Sequence, residues 1–178
     1  MWKKIKQFIF IVLVLNVVFI IWGRFFNPPI TITQIGGLFE YGKLHRDYIS
    51  YDEMGNNVKK AVIASEDQKF FDHNGFDYTA IEKAMKYNEK GKKIRGGSTI
   101  SQQTAKNVFL WQGRSWIRKG LEAVYTFIIE KVCSKDIILE RYLNSIEMGQ
   151  GVFGVEAAAQ YYFGKSSKDL SASDAAWI

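Results

Sequence analysis

The hydrophobic pattern divides the chain at once. Positions 8–22 are apolar throughout except for Asn16, and Lys3, Lys4 and Lys6 stand just before them. Counted from Ile5, such a run rises about 1.5 Å per residue as a helix and just covers a hydrocarbon core of roughly 30 Å. A cleaved leader is the alternative. Bulky Trp22, Arg24, Phe25 and Phe26 follow where a small-x-small cleavage site would stand, which favours an uncleaved anchor. The lysines before the span put the N-terminus in the cytoplasm and the remaining chain outside. Asn27-Pro28-Pro29 then breaks any helix, and 30–37 (ITITQIGG) alternates like a short strand or stalk. The organisation expected is a basic tip and transmembrane anchor over 1–24, an extended linker over 25–52 and one domain over 53–178.

Within that domain the period turns helical. Val58, Ala61, Val62 and Ser65 predict one helix, and Tyr78, Ile81, Ala84 and Met85 another. Between Lys86 and Gly97 the glycine- and lysine-rich chain has little to bury, so a mobile loop is expected. Thr99-Ile100-Ser101-Gln102 fits a capping box that starts a helix running towards Phe109. A longer helix from about Trp116 carries an apolar stripe of Leu121, Val124, Tyr125, Ile128, Ile129 and Val132. Others run from Ser134 through Leu143 and up to Gly164, a C-terminal cap. The fold class expected is all-α, without repeats.

Charge narrows the partner. The net charge of +6 calls for something anionic, and an outward-facing domain argues against nucleic acid. From Glu82 to Lys119 ten basic residues face two acidic ones. Gly96-Gly97-Ser98-Thr99 opens a helix N-terminus whose free amides favour an anion, and Lys106 and Arg118 lie on the two helices that follow. A phosphate-bearing group could be gripped there. Glu66-Asp67 and Glu122, four residues after Arg118, are the carboxylates of interest, although each could be a solvated surface charge. Cys133, the sole cysteine, allows no internal disulfide and reads as a buried helix thiol. His45 and His73 are too far apart in sequence to suggest a metal cluster.

Five ordered motifs carry a resemblance. Glu66-Asp67-x-x-Phe70-x-x-His73-x-Gly75 comes first, then Gly96-Gly97-Ser98-Thr99-Ile100-Ser101-Gln102-Gln103-x-x-Lys106-Asn107, then Arg118-Lys119-x-x-Glu122. Ser134-Lys135-x-x-Ile138-Leu139-Glu140-x-Tyr142-Leu143-Asn144 and the segment Gly154 to Lys165 complete the set. Together they resemble the peptidoglycan glycosyltransferases, with Ser101 where threonine is usual. No Ser-x-x-Lys of a transpeptidase is present, so the chain looks like a monofunctional member. It stops at Ile178, where the domain of that family usually continues.

The resemblance implies a lysozyme-like helical domain with a membrane-associated jaw. It also implies a hexosyltransferase of the plasma (inner) membrane that joins lipid II units into glycan strands. Glu66 would be the general base, taking the proton from the acceptor's N-acetylglucosamine 4-hydroxyl as that oxygen attacks the donor's anomeric carbon with inversion. Asp67, Phe70 and His73 would shape the site, and Ser98, Thr99, Gln102 and Gln103 would meet substrate or serve only as helix caps. Lys106 and Arg118, with Arg114, would hold the lipid pyrophosphate. Glu122 would position those cations, hold a divalent metal or assist the leaving group. No cofactor is obligatory, with Mg2+ or Mn2+ the candidates for a metal. The partners implied are lipid II, the nascent glycan, membrane lipid and other cell-wall synthesis proteins. An alcohol needs a base before it can attack, whereas a pyrophosphate leaves as a stable anion once cations face it. A glycan-cleaving enzyme would need a carboxylic acid instead and has no use for the cations. That enzyme, and a lipid II-binding scaffold without catalysis, are the alternatives.

Overall fold

The computed structural model describes residues 2–91 and 96–178, with the side chains of 9, 12 and 13 outside that set. The chain is mainly helical, as expected: α1 (Trp2–Phe25), α2 (Ile32–Tyr41), α3 (Asn56–Glu66), α4 (Tyr78–Asn88), α5 (Ile100–Thr104), α6 (Trp116–Val132), α7 (Lys135–Ser145), α8 (Val155–Phe163) and α9 (Ala172–Trp177). α5 runs on into a π-helical segment, Ala105–Phe109. A small sheet of β1 (His45–Arg46), β2 (Glu147–Gly149) and β3 (Val152–Phe153) has the order β1-β3-β2. β1 pairs parallel to β3 with His45 opposite Val152, and β2 pairs antiparallel to it.

Side-chain caps set the starts. Thr99 and Gln102 form the expected reciprocal capping box, and Ser115 and Ser134 accept from the third helical amides of α6 and α7. Gly164, in the left-handed region at φ 64°, ends α8. α7 lies at the centre, its Ile138, Leu139, Tyr142 and Leu143 buried with Phe70, Ile100, Val155 and Ala159. Cys133 caps the C-terminus of α6 with its side chain half-buried, and burial pushes its thiol pKa up.

Several expectations need correction. Residues 32–41 form a helix, not a strand, because Thr31 and Gln34 make a second capping box that satisfies both backbone donors. The segment 25–52 is therefore not an extended linker, and its β1 belongs to the sheet. On α6 the apolar stripe is only partly inward: Leu121 and Val124 are exposed, while Arg118, Glu122, Tyr125, Thr126 and Ile129 are buried. The loop expected between Lys86 and Gly97 is helical through Asn88, and 92–95 lie outside the described residues.

α1 is docked on the domain rather than hanging from it. Ile20 is buried, Phe109 stacks edge-on to Phe19, and Tyr125 donates to Asn16. Arg141 donates from Nε to the carbonyl of Gly23 at 2.9 Å, satisfying an acceptor that the helix end leaves open. Among the described residues no helix is long and apolar enough to cross a membrane. The span expected from the sequence falls on α1, which includes the three undescribed side chains.

Candidate active site

α3 ends on Glu66, and Asp67 leaves the helix at φ −160°, ψ 78°. That one step separates the two carboxylates. Glu66 stays exposed, whereas the Asp67 side chain turns inward and accepts from His73 Nε2 at 3.0 and 3.1 Å and from the Ile100 amide at 3.0 Å. The Gly75 amide donates to His73 Nδ1 at 3.1 Å. Nδ1 is thus the accepting nitrogen, and Nε2 is the one that donates to Asp67. Thr99 Oγ1 donates to the Gly75 carbonyl at 2.7 Å. Asp67, His73 and Gly75 thus clamp the start of α5 to the end of α3, and they fix where Glu66 stands.

Gly75 sits at φ 91°, and a Cβ there would lie 2.8 Å from Thr126 Cγ2 and 3.0 Å from Glu130 Cγ. Gly75→Ala should therefore cost about 2–4 kcal/mol from backbone strain and overpacking. Urea unfolding checks this, and a midpoint equal to that of the native chain would contradict the clamp.

Two clefts meet at Glu66. The larger, about 730 Å³, is lined by Glu66, Gln103, Lys106, Asn107, Gln112 and Tyr142 among others. The smaller, about 470 Å³, is lined by Glu66, Asp67, Lys69, Lys83, Ser98, Thr99 and Gln103 among others. Glu66 and Gln103 belong to both, and Gln103 Nε2 donates to Glu66 Oε2 at 2.8 Å. Tyr142 donates to the other end of that amide, Gln103 Oε1, at 3.3 Å.

The cations gather on the π-helical segment and α6. Arg118, 8 % exposed, donates from NH1 to Glu122 Oε2 at 2.5 Å and from Nε to the Gly113 carbonyl at 2.7 Å. Lys119 pairs with Glu122 Oε1 and donates to Ser98 Oγ at 3.3 Å. Glu122 is 2 % exposed, so Arg118 and Glu122 are a buried pair, which Lys119 reaches from a half-exposed position. Lys106 faces the larger cleft without an ion pair among the described residues. Burial pushes its ammonium pKa below the ordinary value, Glu122 opposes that, and Arg118 and Lys119 add to it. An anion in the cleft would relieve both the burial and the crowding. Arg114 is exposed on the connection before α6.

The remaining expected residues lie elsewhere. Phe70 is fully buried in the core, with Lys135 Nζ over its ring at 4.6 Å, so it supports the site from beneath and cannot touch substrate. His73 and Gln102 line neither cleft, Gln102 being committed to the capping box. Lys119 and Tyr142 were not among the expected site residues, although Lys119 stands beside Arg118 in the third motif and Tyr142 stands in the fourth. Among the described residues no group of three or more histidine, cysteine, aspartate or glutamate side chains could hold a metal. At Glu122 both oxygens already face cations, a donor set that does not fit Mg2+ or Mn2+.

Comparison with known proteins gives the family. The transglycosylase family profile matches residues 33–178. A biosynthetic peptidoglycan transglycosylase of Bdellovibrio bacteriovorus is 47% identical over 182 residues, covering 99% of this chain and 73% of that protein. Those of Pseudomonas aeruginosa (45% over 184 residues, 100% and 79%) and Caulobacter vibrioides (50% over 169 residues, 94% and 74%) carry the same name. With a family profile over most of its length and relatives near half identical over nearly all of it, the chain belongs to the transglycosylase family of peptidoglycan glycosyltransferases.

Proposed function

We propose that this glycosyltransferase polymerises lipid II, with Glu66 as general base. The observation that carries the reading is the place of Glu66, an exposed carboxylate at the meeting of two clefts, one of which also holds Lys106, without an ion pair among the described residues. An acceptor and a donor glycan, one in each cleft, would meet at that carboxylate. Glu66 takes the proton of the acceptor 4-hydroxyl, the oxygen bonds to the donor's anomeric carbon, and the bond to pyrophosphate breaks with its electron pair on the leaving oxygen. Lys106 meets that charge, with Arg118 and Lys119 behind it and Arg114 on the exposed connection before α6. The Glu122 carboxylate, engaged by Arg118 and Lys119, favours a role in positioning cations over one in protonating the leaving group.

A membrane-bound substrate fits the surface. The α1 helix is 24 residues long, about 36 Å at 1.5 Å per residue, and it exposes Phe8, Phe10, Leu15 and Val18. On α6, Trp116 is 91 % exposed, with Ile117 and Phe127 also outward. We read α1 as the single-pass anchor in the plasma membrane, N-terminus in the cytoplasm, and the outward face of α6 as part of the jaw that rests on lipid.

Labelled lipid II incubated with the detergent-purified protein tests the reading. Polymer that a muramidase digests is the expected product. Binding without polymer would favour a scaffold, and fragments released from preformed glycan would favour a cleaving enzyme. Lys106→Ala should lower the polymerisation rate about 100-fold while changing stability by less than about 1 kcal/mol, because among the described residues its ammonium makes no ion pair and is crowded by Arg118 and Lys119. Equal loss of thermal midpoint and rate would contradict the assignment of Lys106 to phosphate.

A further inference from the structure

Three elements converge on the base through side chains that the reaction itself does not consume. Tyr142, on the buried face of α7, donates its hydroxyl to Gln103 Oε1 at 3.3 Å, and Gln103, on α5, donates Nε2 to Glu66 Oε2 at 2.8 Å at the end of α3. We propose that Tyr142 and Gln103 are positioning residues that hold Oε2 of Glu66 and leave Oε1 to take the acceptor's proton. This rests on Glu66 being the general base.

A carboxamide can be turned end for end, and the flipped amide would set Oε1 of Gln103 against an anionic carboxylate. The charge on Glu66 therefore selects the N–H end, and the amide oxygen is left facing Tyr142, whose hydroxyl must donate to it. Without that hydroxyl the oxygen loses its partner and the amide can swing, so the carboxylate loses its fixed direction. Tyr142 keeps its proton over the whole working pH range: desolvation first, and the charge of Glu66 second, push its phenol pKa up. The donor is thus always present. Gln103, grouped with the substrate ligands by family resemblance, has both ends of its amide engaged by protein.

Steady-state polymerisation of labelled lipid II by Tyr142→Phe, Gln103→Ala, the double variant and Glu66→Gln tests the relay. Tyr142→Phe should lower kcat about fivefold to tenfold with KM unchanged, and its thermal midpoint should stay near that of the native chain. Gln103→Ala should lower kcat more, and the double variant should be no slower than Gln103→Ala alone, since both remove one linked unit. Native kcat in Tyr142→Phe, effects that multiply in the double variant, or a rise in KM at constant kcat would overturn the proposal. If Tyr142→Phe unfolds early, Gln103→Met carries the same kcat-against-KM test by itself. Should Glu66→Gln polymerise normally, the base assignment fails and the relay with it. An inactive Glu66→Gln beside multiplying single effects would sink the relay alone.

Discussion

Glu122→Gln is expected to destabilise the protein by about 3 kcal/mol or more, although it removes no volume, because it leaves buried charge uncompensated. Glu122 is the only carboxylate that meets Arg118 and Lys119 among the described ion pairs. Without its charge, the guanidinium of Arg118 keeps only neutral acceptors, the Gly113 carbonyl and the glutamine amide oxygen, and Lys106 stands close enough to feel both cations. For a chain of this size the loss corresponds to a fall in thermal midpoint of about 10 °C. Activity should fall with it. The sign of a ligand effect separates this from general damage: inorganic pyrophosphate should raise the midpoint of Glu122→Gln more than that of the native chain, since an anion replaces the missing charge. An unchanged midpoint would mean that the cluster is not closed in solution. A midpoint that falls but does not respond to pyrophosphate would remove these cations from the phosphate site.

The helices that frame the site were legible where apolar period and cap agree. Thr99 and Gln102 announce α5, and Gly164 ends α8 in the left-handed region that glycine adopts without cost. At 30–37 the same capping signature, Thr31 and Gln34, stood inside an alternating I-T-I-T run, and the cap decided the outcome. On α6 the stripe misled for a different reason. Arg118 and Glu122 pair with each other and Thr126 donates to the Glu122 carbonyl, so these polar side chains are satisfied within the helix and are buried in place of Leu121 and Val124.

The site was legible in composition more than in geometry. Sequence spacing assigned no distinction in burial between Glu66 and Asp67. The turn at Asp67 sends one carboxylate to the clefts and the other to the start of α5. Phe70 went wholly to the core, while Tyr142, outside the expected site residues, reaches Gln103 with its hydroxyl. These are tertiary facts, set by how α3, α5 and α7 cross.

The central claim is that the carboxylate of Glu66 is the base. Glu66→Gln keeps the shape of an exposed side chain whose one described hydrogen-bond partner is Gln103, so stability should change by less than about 0.5 kcal/mol. What disappears is the charge that accepts the acceptor's proton, an effect worth about 10²–10⁴ in rate. The measurement is the initial rate of labelled lipid II incorporation by the native chain and by Glu66→Gln, each checked by thermal unfolding. A folded variant at least about 100-fold slower is the expected result. A variant that polymerises at the native rate would contradict the account.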